Sequence, residues 1–105
     1  MIAAPVYAEL LAYPRMTTQD LDQFLGGGSV DVDFDLSPQV WRESGERFSR
    51  YASRRRRSNA GQPQRLFADF IIGAHALLQA DRLMTLDANR YRREFPELRL
   101  ITIAA

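Results

Sequence analysis

An apolar segment towards the C-terminal end of the chain, residues 66–80, most constrains the fold. It carries one carboxylate, Asp69, in the first turn of a predicted buried helix, and a predicted strand, Leu83 to Leu86, follows. That strand is followed directly by a second carboxylate, Asp87. In open α/β sheets, ligands bind beyond the carboxyl ends of the strands. Because hard divalent cations prefer oxygen ligands, the segment predicts a metal site.

Alternation of helices and strands predicts the fold class. Strands are expected at residues 1–6, 30–36, 83–86 and 98–103, with helices at 7–13, 18–26, 37–53, 66–80 and 88–94 and a polar loop at 58–63. Strands that alternate with helices favour an α/β fold with a parallel sheet flanked by helices. A chain of 105 residues without an internal repeat or linker suits one domain, so we interpret residues 1–105 as a single domain.

Local signals mark where the helices begin and end. Thr17 or Thr18 is expected to cap one helix, and Ser37 the next, because their hydroxyl groups accept hydrogen bonds from first-turn amides. Pro38 suits the first helical position. The glycine triplet at residues 26–28 follows a helix, so we interpret it as a helix end and turn, not as a phosphate-binding loop.

Two further patterns concern surface and core. Residues 30–36 alternate strictly between apolar side chains and aspartates, which predicts a half-buried strand with solvated aspartates; a cation site is the alternative. The helix at residues 37–53 is expected to bury an apolar stripe made of Val40, Trp41, Phe48, Tyr51 and Ala52. Its opposite face carries Arg42, Arg47 and Arg50.

Composition and charge exclude several classes of protein. The net charge is +1, so no global field favours nucleic acid or membrane. The absence of cysteine excludes disulfides and thiolate metal sites and suits a reducing cytosol. Residues 1–13 lack the basic start of a signal peptide, and the apolar run at residues 67–80 is too short to span a bilayer. We therefore expect a cytoplasmic protein without membrane contacts.

A third carboxylate and an arginine run extend the predicted site. Glu9 lies among apolar residues in a helix that follows a strand. Three carboxylates near strand ends would hold Mg²⁺ or Mn²⁺, which support phosphodiester cleavage. Arg54 to Arg57 would draw a polyanion towards them. Ordinary roles are the alternatives: Glu9 and Asp69 as helix acids, Asp87 as a helix cap, and the arginines as a solvated segment.

Three segments of the chain share a pattern with a known family. They are Pro5 to Leu10, Ala68 to Ala76 and Thr85 to Ile101. These segments resemble the PIN-domain family, and within it the VapC-type toxins of prokaryotic toxin–antitoxin pairs. The resemblance covers nearly the whole chain, and the last two segments are its most specific parts. It implies a PIN-like three-layer fold, Mg²⁺ or Mn²⁺ as cofactor, endoribonuclease activity on RNA, and a small antitoxin as partner.

The resemblance also implies roles for individual residues. Carried over position by position, Glu9, Asp69 and Asp87 match the family's acidic residues and would be both catalytic and metal-binding. Thr85 matches the hydroxyl residue that often precedes the last aspartate, and it would order the site. His75 falls at a helix position that we interpret as core packing.

The chain departs from the family at its start. PIN domains open with a central strand that ends in an aspartate, and neither has a counterpart ahead of Pro5. Loss of that strand would leave its neighbours with unpaired backbone and apolar faces. Three interpretations are open. The true start lies upstream; the protein is a catalytically inactive remnant acting as an interaction or oligomerisation module; or a partner copy fills the gap, giving a homo-oligomer.

Overall fold

The computed structural model describes residues 1–58 and 67–102, and the chain divides into two compact units, Met1–Leu36 and Ser37–Ala105. The predicted α/β class is confirmed, because the described residues form five helices and four short strands. The strands pair as two separate parallel sheets of two strands each, where we expected a single sheet. The prediction of one domain over residues 1–105 stays a prediction.

The first unit contains two helices and one strand pair. Its elements are β1 (Ile2–Ala3), α1 (Ala4–Leu10), α2 (Thr18–Gly27) and β2 (Val32–Asp33). Ile2 lies opposite Val32 in the parallel ladder. The hydroxyl of Tyr7 on α1 donates a 2.7 Å hydrogen bond to Oδ1 of Asp22 on α2. That bond raises the pKa of Tyr7, because it stabilises the protonated phenol beside a carboxylate.

The predicted ends of α2 are confirmed. Thr17 is the N-cap, and its Oγ1 accepts a 3.0 Å hydrogen bond from the backbone N–H of Asp20. At the other end Gly28 is the C-cap, and its N–H donates to the carbonyl of Phe24. Ser29 follows with a φ of 57°, a left-handed conformation that reverses the chain towards β2.

Two predicted strands in this unit are longer than the observed ones. The strand expected at residues 1–6 stops at Ala3, because Pro5 occupies the first turn of α1, a position for which its φ is pre-set. The strand expected at residues 30–36 contains only Val32 and Asp33. Oδ1 of Asp33 accepts a 3.1 Å hydrogen bond from the backbone N–H of Asp35. This local turn competes with the ladder and ends the strand.

In the second unit, the predicted helices and strands agree best with the observed ones. They are α3 (Pro38–Arg57), α4 (Phe67–Gln79), β3 (Leu83–Thr85), α5 (Asn89–Arg92) and β4 (Leu100–Thr102). Strands β3 and β4 pair in parallel over three residues each. Most of the polar loop expected at residues 58–63 lies outside the described residues. No helix in the described ranges is long and apolar enough to cross a membrane.

Helix α3 begins as predicted and ends later than predicted. Ser37 is the N-cap, with its Oγ 3.4 Å from the backbone N of Val40, and Pro38 opens the helix. We expected an end near Ser53, but the helix continues to Arg57. Arginine is a good helix former and its charge is favourable at a helix C-terminus, so the arginine run extends α3.

The core of the second unit lies between α3, α4 and the segment after α5. Phe70 and Phe95 are 1% and 2% exposed, with ring centroids 6.2 Å apart. The expected apolar stripe of α3 is confirmed for Val40, Tyr51 and Ala52, which are buried. It is wrong for Trp41, which is 49% exposed.

The prediction that Arg47 lies on the exposed face of α3 is wrong. Arg47 is buried, and its Nη1 donates a 2.7 Å hydrogen bond to the backbone carbonyl of Glu94. Its Nε donates to Glu43 at 2.7 Å, and both of its Nη atoms donate to Glu97. The guanidinium also stacks 4.6 Å from the ring centroid of Phe95. These contacts tie α3 to residues 94–97, and the hydrogen bond with Arg47 lowers the pKa of Glu97.

Close packing between α4 and Phe95 leads to the first prediction. A Cβ atom added to Gly73 would lie 2.4 Å from Cε2 of Phe95, and the buried ring has little room to move. Gly73→Ala should therefore lower the free energy of unfolding by about 1–3 kcal/mol, although alanine is the better helix former. Gly45→Ala in α3 is the control, because nothing lies within 4 Å of its added Cβ. Urea denaturation followed by circular dichroism would measure both. Equal stabilisation by the two substitutions would contradict the prediction.

Candidate functional site

A charged cleft of about 1040 Å³ opens on the second unit. Its carboxylates are Asp69, Asp87 and Glu94. Its guanidinium groups come from Arg54, Arg55, Arg57, Arg90 and Arg93. Cationic side chains outnumber carboxylates along the described walls, so the cleft suits an anionic ligand that also meets carboxylates.

Asp69 lies where the sequence predicted, in the first turn of α4. The helix dipole favours a negative charge there. Its side chain is 15% exposed, so it is largely withdrawn from solvent. Its Oδ1 is 3.4 Å from Nη1 of Arg90 on α5. A carboxylate at this depth needs a cationic or hydrogen-bonding partner, and Arg90 supplies one.

Asp87 follows β3 and meets the same arginine. Its Oδ1 accepts a 3.3 Å hydrogen bond from the backbone N–H of Arg90, and its Oδ2 lies 3.5 Å from Arg90 Nε. The backbone N–H of Asp87 donates a 3.1 Å hydrogen bond to Oγ1 of Thr85. Asp87 therefore binds an amide in the first turn of α5, next to the N-cap Ala88, while also lining the cleft.

One guanidinium thus joins the two carboxylates that the sequence singled out. Asp69 and Asp87 come from different elements, and each has an oxygen within 3.5 Å of Arg90. The sequence interpretation missed Arg90. The sequence feature that could have predicted its contact with Asp87 is the spacing of three residues, which suits a side-chain contact across the first turn of α5.

The arginines at the end of α3, Arg54 to Arg57, have different roles. Nη2 of Arg54 donates to both carboxylate oxygens of Glu94, whose side chain is only 4% exposed. Arg54 is therefore committed to a structural ion pair and is not available to draw in a polyanion. Arg56 is exposed and lies 3.4 Å from the hydroxyl of Ser53. Within residues 1–58 and 67–102, Arg57 and Arg93 form no ion pair, so they are the cleft's available cations.

The remaining predicted residues lie elsewhere. Glu9 is an exposed residue of α1 in the first unit, and its role as a third ligand stays a prediction. Thr85 ends β3 and holds the turn that carries Asp87. His75 is buried in α4, as the core-packing interpretation expected. The described residues contain no group of three or more histidine, cysteine, aspartate or glutamate side chains that could hold a metal ion.

The donor set nevertheless suits the metal that the resemblance implies. Mg²⁺ is commonly held by one or two carboxylates, with water and substrate phosphates completing the coordination. Asp69 and Asp87 supply two carboxylates, and the guanidinium of Arg90 already holds a positive charge between them. A divalent cation in that place would satisfy the same two acidic groups.

Comparison of the chain with protein-family models, with curated proteins and with solved structures finds no match in any of the three. The resemblance to PIN domains and VapC-type toxins stays a prediction from the sequence.

Proposed function

We propose that this protein is a metal-dependent endoribonuclease of the PIN/VapC toxin type, which hydrolyses RNA phosphodiester bonds. The observation that supports the proposal best is the meeting of Asp69 and Asp87 at one guanidinium in an arginine-lined cleft. The PIN-like three-layer fold, a small antitoxin as partner and self-association belong to the same proposal.

The cleft residues would have different roles in such a reaction. Asp69 and Asp87 would hold the divalent cation, and Thr85 keeps Asp87 in place through the hydrogen bond from the Asp87 backbone N–H. Arg57 and Arg93 would bind phosphates of the RNA backbone. Mg²⁺ or Mn²⁺ held there would activate a water and neutralise developing charge. Addition of water across one P–O bond yields a phosphate monoester end and a hydroxyl end.

An RNA cleavage assay tests this proposal. The full chain, Asp69→Asn and Asp87→Asn are incubated with a fluorophore-labelled single-stranded RNA in Mn²⁺. Each substitution should lower the cleavage rate by about 100-fold or more, because even the outer partners of metal ligands are worth 10–100-fold. Asp81→Asn is the matched control, since Asp81 is exposed, pairs with its neighbour Arg82 and does not line the cleft.

Cleavage that survives both cleft substitutions would contradict the proposal, since the carboxylates would then have no part in the reaction. A wild-type chain that does not cleave RNA would contradict it too.

One observation favours a second candidate, a catalytically inactive PIN-like remnant that acts as an interaction module. Arg90 neutralises both carboxylates and Asp87 accepts a hydrogen bond from an amide of α5, so both acidic groups also have a purely structural use. That candidate predicts no cleavage by the wild-type chain, together with a lower melting temperature for Asp69→Asn and Asp87→Asn. Differential scanning fluorimetry of the same variants would measure the melting temperatures.

A further inference from the structure

Arg90 makes weaker ion-pair contacts than Arg47, the buried arginine of α3. Its side-chain contacts to Asp69 and Asp87 are 3.4 Å and 3.5 Å long, and its side chain is 47% exposed. Arg47 has a side chain that is 9% exposed and makes a 2.7 Å contact to Glu43. Half-exposed ion pairs at such distances contribute little to stability. The guanidinium of Arg90 can therefore be exchanged at small cost for another cation that compensates the largely buried Asp69.

The backbone of Arg90 is held independently of that side chain. Its N–H donates to Oδ1 of Asp87, and the N–H of Asp87 donates to Thr85. These two hydrogen bonds position Asp87 whether or not the guanidinium is in contact. Asp69 is positioned by the first turn of α4. Departure of the guanidinium would leave both carboxylates in place with their charge uncompensated.

We propose that Arg90 is an internal counter-ion that a divalent cation must displace from Asp69 and Asp87, so that Arg90 sets the metal affinity of the cleft. This inference rests on the proposed metal-dependent function and names a regulatory residue of that site. The displaced guanidinium stays on α5 at the cleft wall, where it meets an anionic phosphate. Metal and RNA phosphate then bind cooperatively. The metal releases Arg90 from the two carboxylates, and the phosphate keeps the released guanidinium away from them.

Titration of the full chain with Mn²⁺ alone, followed by the electron paramagnetic resonance signal of the free ion, tests the inference without RNA. Arg90→Gln should lower the Kd for Mn²⁺ by about tenfold, the equivalent of two weak ion pairs. Arg92→Gln is the control, because Arg92 is an exposed residue of the same helix that contacts Asn89 and has the same charge. It should leave the Kd unchanged within about threefold, since screening weakens interactions between exposed charges.

A double-mutant cycle separates direct contact from a general charge effect. In an Asp69→Asn background, Arg90→Gln should change the Kd for Mn²⁺ by less than it does in the wild type, because one of the two groups that Arg90 neutralises is absent. Arg90→Lys keeps the charge and should stay closer to the wild-type Kd than Arg90→Gln does. Thermal melts of each variant establish that it is folded.

Several results would overturn the inference. One is an unchanged or higher Kd for Mn²⁺ in folded Arg90→Gln. Another is an increase in Mn²⁺ affinity in Arg92→Gln as large as that in Arg90→Gln. A third is no Mn²⁺ binding by either Arg90→Gln or the wild type. The proposed function is judged separately by RNA cleavage. If cleavage depends on Asp69 but the Kd for Mn²⁺ is unchanged in Arg90→Gln, the proposed nuclease function is supported and only the counter-ion role of Arg90 is contradicted.

Discussion

Phe95→Ala is expected to lower the free energy of unfolding by about 3–5 kcal/mol, the range for removing a fully buried aromatic ring. The ring is 2% exposed, and the guanidinium of Arg47 covers it. It packs beside Phe70 and against Gly73. Alanine would leave a cavity between two helices and would also remove the surface on which Arg47 stacks. For a domain stabilised by about 5–15 kcal/mol, this loss is a large fraction.

Urea denaturation monitored by circular dichroism measures the loss. Phe24→Ala is the matched control, because Phe24 on α2 is 76% exposed and the same atoms are removed. Its effect should stay within about 0.5 kcal/mol. Similar midpoints for the two variants would show that the second unit does not depend on Phe95.

Arg47→Met is expected to cost about 3 kcal/mol. Methionine fills a similar volume but donates no hydrogen bond, so the backbone carbonyl of Glu94 loses its donor. Glu43 and Glu97 lose their charged partner as well. Breaking a buried ion pair typically costs 3–5 kcal/mol, and the lower end applies because the side chain of Glu97 is 52% exposed and regains water. Arg42→Met, at an exposed position of the same helix, is the control and should be nearly neutral.

The same substitution has an expected pH dependence. The pKa of Glu97 in the folded protein is lowered by its hydrogen bond with Arg47, so the folded state favours the ionised form. That contribution is present above the unfolded pKa of about 4.3 and is lost as the pH falls through the lower folded pKa. The stability difference between wild type and Arg47→Met should therefore shrink on acidification below about pH 4. A difference that grows instead would contradict the assigned pair.

Local chemistry explains why many element positions could be predicted. Thr17 and Ser37 cap helices through amides three residues away, and a glycine C-cap ends α2. Such signals act within one turn of the chain and need no tertiary partner. Where two local signals compete, the alternation pattern is less reliable. The aspartate-rich strand is short because the Asp33 side chain bonds the amide of Asp35 instead of leaving it for a ladder.

The environment of Arg47 could not be derived from its own helix. Its helical position suggested solvent, but its partners Glu94 and Glu97 lie 47 and 50 residues further along the chain. Periodicity reports which face of a helix is apolar, not which distant carbonyl or carboxylate will meet a guanidinium. Arg54 shows the same limit, since its partner Glu94 lies 40 residues away.

The sequence by itself determined the α/β class, most helix starts and the identity of two candidate carboxylates, because these depend on periodicity, capping and residue chemistry within a few positions. Only the tertiary structure decided that Asp69 and Asp87 share one arginine, since Asp69 and Arg90 are 21 residues apart and meet through the packing of α4 against α5. Long-range pairing depends on how the helices pack around Phe95, and that packing is a property of the folded unit as a whole.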